Sequence, residues 1–167
     1  QYSFERYITA HAIMISFEGI PAIYLNSIFG TPNDFNKYIV TNNKRDLNRY
    51  KWNKKKLEKK LKNKHSKQYK FYKEITRLLL IRKNQKAFHP NAIRKTTKSN
   101  KNFFMFKRIS LDKKQTVTCI FNLTSKIQNL NLDKKSMNLK NLLNDQKLYS
   151  INNKVQIEPF QTLWLSD

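Results

Sequence analysis

A chain of 167 residues with 39% hydrophobic side chains is long enough for one domain or two small ones and can bury a core. Its single cysteine, Cys119, excludes an intrachain disulfide framework and a thiolate metal cluster, and points to a reducing, cytoplasmic compartment. No segment approaches the roughly 20 apolar residues that span a bilayer, which argues against a membrane partner, whereas a formal charge of +23 raises the question of a nucleic-acid partner.

The charge alone does not establish such a partner. Only 7 of the 34 Lys+Arg residues are Arg, and lysine comes with abundant asparagine, as AT-rich coding would produce. The run "KWNKKKLEKKLKNK" over 51–64 puts lysine on all sides of a helix, the pattern of a solvated surface. A basic nucleic-acid-binding module is therefore the lesser alternative, and no nucleic acid is expected as a partner. The chain opens at Gln1, already inside a helical pattern, which reads as a piece of a longer polypeptide.

In chain order, "YSFERYITAHAIMISF" places Phe4, Tyr7, Ile8, His11, Ala12 and Ile15 on one helical face, with Ser3 as a possible cap and Gly19 as the stop. "IPAIYL" over 20–25 is a short continuous apolar run, suited to a strand covered on both faces, so helix, glycine and strand read as part of an α/β repeat. Residues 26–53 show little periodicity and read as a long excursion from the strand's carboxyl end. Helical spacing returns in Tyr69, Tyr72, Ile75, Leu78, Leu79 and Arg82, a helix of about five turns that ends before Pro90. Beyond that the period becomes two. "FFMFKRIS", "TVTCIFNLT" (Val117, Cys119, Phe121 and Leu123 on one face) and "QTLWLSD" read as strands, with turns at "LDKKQ" and "NLLNDQ". The expected division is 1–89 and an all-β domain over 90–167.

Candidate chemistry is sparse. His11, His65 and His89 have no second ligand at metal spacing, and the glycines, Gly19 and Gly30, form no phosphate loop. Glycosidic-bond chemistry needs two carboxylates facing one bond. Asp34 and Asp46 share the long loop, but loop acids of this kind are more often surface ion-pair partners.

Three motifs, "AHAIMISFEGIPAIYLNSIFGTPND", "TNNKRDLNRYKWN" and "LLLIRKNQKAFHPNA", closely resemble the C-terminal third of the sucrose phosphorylase group of glycoside hydrolase family 13, within the α-amylase superfamily. The resemblance covers residues 1 to about 92; over 93–167 it rests on position and strand pattern. It implies an α/β fold: the last strand and helices of a TIM barrel, followed by a small antiparallel β-sandwich, domain C. Residues 2–17 would be the seventh barrel helix, 20–25 the eighth strand, 26–65 the loop after it and 67–84 the final helix. The implied activity is retaining transfer of a glucosyl unit from an α-glucoside to inorganic phosphate through a covalent glucosyl-enzyme, with no cofactor or metal. A hydrolase or transglycosylase of the same superfamily is the alternative.

By that resemblance, substrate binding falls on Arg45 and the adjoining Asp46, and on Asn33 and Asp34 at the end of the first motif. A guanidinium offers paired donors suited to adjacent sugar hydroxyls, which an ammonium does not. Lys44 stands where the family's motif often has glycine. No residue matches the family's catalytic carboxylates, which lie on earlier strands, so the rest of the same polypeptide is the expected partner in catalysis.

Overall fold

The computed structural model describes residues 2–97, 101–132, 139–148 and 154–167. The chain divides into two compact units, one formed by residues 1–21 with 78–167 and the other by residues 22–77.

The first unit begins with α1 (Ser3–Ser16), whose Ala12, Ile15 and Ser16 are fully buried. Ser3 lies inside the helix; the cap position belongs to Tyr2, in the left-handed region, and no side chain caps it. The helix stops at Ser16, with Phe17 already extended, so the turn comes two residues before Gly19. Gly19 still takes a left-handed φ of 80°, which suits its missing Cβ.

Three strands carry the centre of this unit: β2 (Phe103–Ile109), β3 (Thr116–Asn122) and β8 (Thr162–Ser166). They are flanked by β1 (Ile93–Thr96), β5 (Lys140–Asn141) and β6 (Gln146–Lys147). Among the described residues, the antiparallel sheet runs β1-β2-β3-β8-β5-β6, and β4 (Gln128–Asn131) pairs separately with β7 (Lys154–Ile157). The turn between β2 and β3 holds Lys113 at φ 55°, and Asp145 at φ 61° turns β5 into β6.

The period-two pattern fixes which side chains share a face. Cys119 stands opposite Phe106 on one side and Trp164 on the other, while Ile120 stands opposite Met105 and Leu163. Ile120, Leu163 and Leu165 join Phe103, Leu130, Val155 and Ile157 in one apolar cluster, so the β4–β7 pair covers that face of the large sheet. On the other face Phe106 packs with Phe17 and Phe121, and Trp164 meets Phe88 at a centroid distance of 4.9 Å. β3 is consequently buried on both faces, more than its alternation predicts, and Leu123, expected to join Val117, Cys119 and Phe121, lies past the strand end and is exposed.

Two buried arginines finish α1. The last carbonyls of a helix have no partner within it. Arg82 donates through Nη1 to the carbonyls of Ile15 and Phe17 and through Nη2 to that of Gly19. Arg108, fully buried, donates to Ser16 O at 3.1 Å, His89 O at 2.8 Å and Ala92 O at 3.3 Å. Cations belong at the negative end of a helix dipole, and here they also supply the missing donors. Desolvation holds both guanidinia below their ordinary pKa.

The strand expected over 20–25 is not formed in this chain. Residues 20–24 carry no regular element, and Leu25 already opens a helix. A strand needs a neighbour to take its N–H and C=O groups, and none of the described strands pairs with this segment. The expectation of little regular structure over 26–53 is likewise corrected: that region holds α2 (Leu25–Ile28), α3 (Phe35–Thr41) and a 3₁₀ turn (Lys44–Asp46). The helical pattern read in the lysine-rich run 51–64 is found as α4 (Lys54–Lys62). The final helix, α5 (Lys67–Lys83), lies where its spacing predicts.

Candidate functional site

The polar stretch 41–53 is built by side chains that cap one short element after another within the unit of residues 22–77. Asp34 starts α3 by accepting from the Lys37 backbone N–H at 3.1 Å, and its own N–H donates to Leu47 O at 2.7 Å, which closes the segment on itself. Asn42, left-handed at φ 49°, ends α3. Asn43 then accepts from the Arg45 backbone N–H at 3.1 Å and opens the 3₁₀ turn. Lys44 sits in that turn and not in the left-handed region, so lysine is accommodated where the family's motif often has glycine.

Asp46 receives the Lys37 ammonium at 2.7 Å and the Thr41 hydroxyl at 2.8 Å. The Lys37 hydrogen bond first, and Thr41 second, hold its carboxyl below the ordinary range. Lys37 thus joins the two loop acids, its backbone to Asp34 and its side chain to Asp46. Asn33 is exposed. Arg45 is exposed as well, and its guanidinium has no hydrogen-bond or ion-pair partner among the described residues.

Of the four expected residues, two are engaged in holding the turn and Arg45 is left able to bind something else. A planar fork of donors on a capped turn can engage a pair of hydroxyls or an anion. Lys37, Thr41 and Asn43, which hold the turn, were missed from the sequence. Thr41 and Asn43 lie inside the motif itself, and the signal for Asn43 is an Asn preceding a short polar turn.

In the same unit, Trp52 donates its indole N–H to Thr31 Oγ1 at 2.9 Å and meets Tyr50 edge-on, with centroids 4.9 Å apart. Asn26, almost fully buried, donates to Tyr50 O at 2.9 Å. No group of His, Cys, Asp and Glu able to hold a metal occurs among the described residues. No described helix is long and apolar enough to cross a membrane.

Sequence comparison gives relatives over nearly the whole chain. It is 29% identical over 160 residues to a glucosylglycerate phosphorylase of Escherichia coli, covering 96% of this chain and 28% of that protein. A glucosylglycerate phosphorylase of Allomeiothermus silvanus is 30% identical over 162 residues, covering 97% of this chain and 27% of that protein. The chain therefore spans little more than a quarter of these relatives. No protein-family model matches it. Among solved structures, the trehalulose synthase MutB of Pseudomonas mesoacidophila superposes with a TM-score of 0.71 at 14% identity, over 98% of this chain and 38% of that one. A trehalose-6-phosphate hydrolase of Bacillus licheniformis gives 0.70 at 15% identity, over 99% and 39%. These structures share the fold, and the relatives match nearly the whole chain, so the chain resembles the sucrose phosphorylase group of glycoside hydrolase family 13 as a likeness to part of those longer proteins.

Proposed function

We propose that this chain is the C-terminal part of a retaining sugar phosphorylase that moves a glucosyl unit from an α-glucoside to inorganic phosphate. A carboxylate of the remaining polypeptide displaces the aglycone, whose oxygen takes a proton from an acid group, and leaves a covalent glucosyl-enzyme. Phosphate then displaces that carboxylate, so glucose 1-phosphate forms. Residues 1–89 supply the last part of the barrel and 90–167 its domain C, in the cytoplasm. The relatives named glucosylglycerate phosphorylase make glucosylglycerate the first donor to try.

The observation that carries this reading is the Arg45 guanidinium, unpaired on a capped turn, inside a motif of a chain similar to those relatives. Loops after barrel strands wall the active site, and Arg45, Asp46, Asn33 and Asp34 are assigned to the glucose subsite. Lys37 neutralises Asp46 and leaves Arg45 to reach the sugar. The apolar residues that α3 exposes, Phe35 at 60%, Ile39 at 75% and Val40 at 85%, support a place for the rest of the barrel over them.

The test is Arg45→Ala in the full-length protein. Loss of charge-assisted hydrogen bonds worth about 1.5–3 kcal/mol each lowers kcat/KM for phosphorolysis by about 10- to 100-fold or more, and Arg45→Lys does not restore it. An Arg45→Ala enzyme within about twofold of wild type would remove the assignment.

A further inference from the structure

We infer a second binding site in the unit of residues 22–77, for a phosphate monoester that carries a ring-shaped organic body. A cavity of about 590 Å³ is lined by Tyr50, Trp52, Lys56, Lys59, Lys60 and Asn63, among others. Positions 56, 59, 60 and 63 are spaced i, i+3, i+4 and i+7, so the lysines around α4 include one row that faces this cavity together. Arg45, Asp46, Asn33 and Asp34, assigned above to the sugar subsite, do not line it, although Thr31 and Pro32, just before Asn33, do.

The three lysines share one charge problem. None of them has a carboxylate partner among the described residues, and Glu58, the acid within α4, does not line the cavity. Like charges at i and i+4 destabilise a helix, and a dianion between Lys56 and Lys60 turns that repulsion into attraction. An ammonium group is a compact charge donor suited to phosphate oxygens. The lining also holds two aromatic rings. The indole N–H of Trp52 is committed to Thr31, and the Tyr50 ring meets the Trp52 ring edge-on. Cations and aromatic surface in one cavity fit a phosphoryl group joined to a sugar or nucleoside, and they fit inorganic phosphate less well because it would leave the aromatic rings unused.

Lysine footprinting on the full-length protein reads this site without reading turnover, so its outcome is independent of whether phosphorolysis occurs. Acylation of individual lysines is followed by mass spectrometry with and without glucose 6-phosphate, AMP or inorganic phosphate. The expected result is that glucose 6-phosphate or AMP, at saturation, slows labelling of Lys56, Lys59 and Lys60 by about tenfold while Lys54, Lys55 and Lys62 on the same helix are unaffected. Whichever compound protects at lower concentration identifies the source of the phosphate. Inorganic phosphate protects less, and Trp52→Leu, chosen to keep the wall apolar but remove the ring, reduces the advantage of the organic phosphates. Equal protection of all the α4 lysines, equal protection by inorganic phosphate, or no protection by either organic phosphate would overturn the proposal.

Discussion

Asp46 takes Lys37 and Thr41 as partners although Arg45 adjoins it in sequence. The reason is local geometry: successive residues of a 3₁₀ turn point in different directions, while Lys37 on α3 lies across from the carboxylate. The sequence motif made Arg45 legible, but not which cation Asp46 would select, since that depends on caps at Asp34 and Asn43 that bring α3 back over the turn. A second pair has a consequence for acid stability. Glu18 accepts from Arg94 Nε at 2.7 Å, and this hydrogen bond chiefly holds its carboxyl below the ordinary value of 4.5. A depressed carboxylate pKa contributes stability that is complete above the unfolded value and is lost as pH falls through the folded one. Thermal unfolding as a function of pH is therefore expected to show a loss that sets in as pH falls below the ordinary carboxylate value and that Glu18→Gln diminishes; an identical acid limb in the variant would remove the pair from the account.

At the scale of elements, the longest helices and the three longest strands were legible, and the short helices and the short strands β1, β4, β5, β6 and β7 were not. α1 and α5 have enough turns for a 3.6-residue pattern to stand out, and β2, β3 and β8 alternate over five to seven residues. α2 and α3, of four and seven residues, are too short for periodicity and exist through caps and tertiary contacts. Gly30 shows such a contact: at φ 55°, an added Cβ would collide with the Phe71 ring. Gly30→Ala is expected to cost about 1–3 kcal/mol in a denaturant titration, from the left-handed backbone and from displacement of Phe71; a change below about 0.5 kcal/mol would contradict the close approach. Arg108 is legible only as a strand residue, because its task, to cap α1, is performed across 92 positions of sequence. Arg108→Met leaves the carbonyls of Ser16, His89 and Ala92 short of a donor and is expected to cost about 2–4 kcal/mol. Cys119, buried and kept protonated by desolvation, provides the readout: it should resist thiol reagents in the wild type and react sooner in the variant, and equal rates would show that Arg108 does not hold this face closed.

For the whole molecule, the antiparallel domain could be read because its strands satisfy one another within the chain, whereas the strand expected over 20–25 is not formed and no described strand pairs with that segment. Composition and resemblance point in different directions at this scale: a charge of +23 suggests nucleic acid, whereas the relatives that match the chain are named glucosylglycerate phosphorylase. The central claim is that the complete protein uses phosphate, not water, to release its glucosyl unit. Its most direct test is a chromatographic assay of products formed by the full-length enzyme from glucosylglycerate, with and without inorganic phosphate. The expected result is glucose 1-phosphate, formed in proportion to glycerate and only when phosphate is present; free glucose released at the same rate with or without phosphate would contradict it and make the protein a hydrolase.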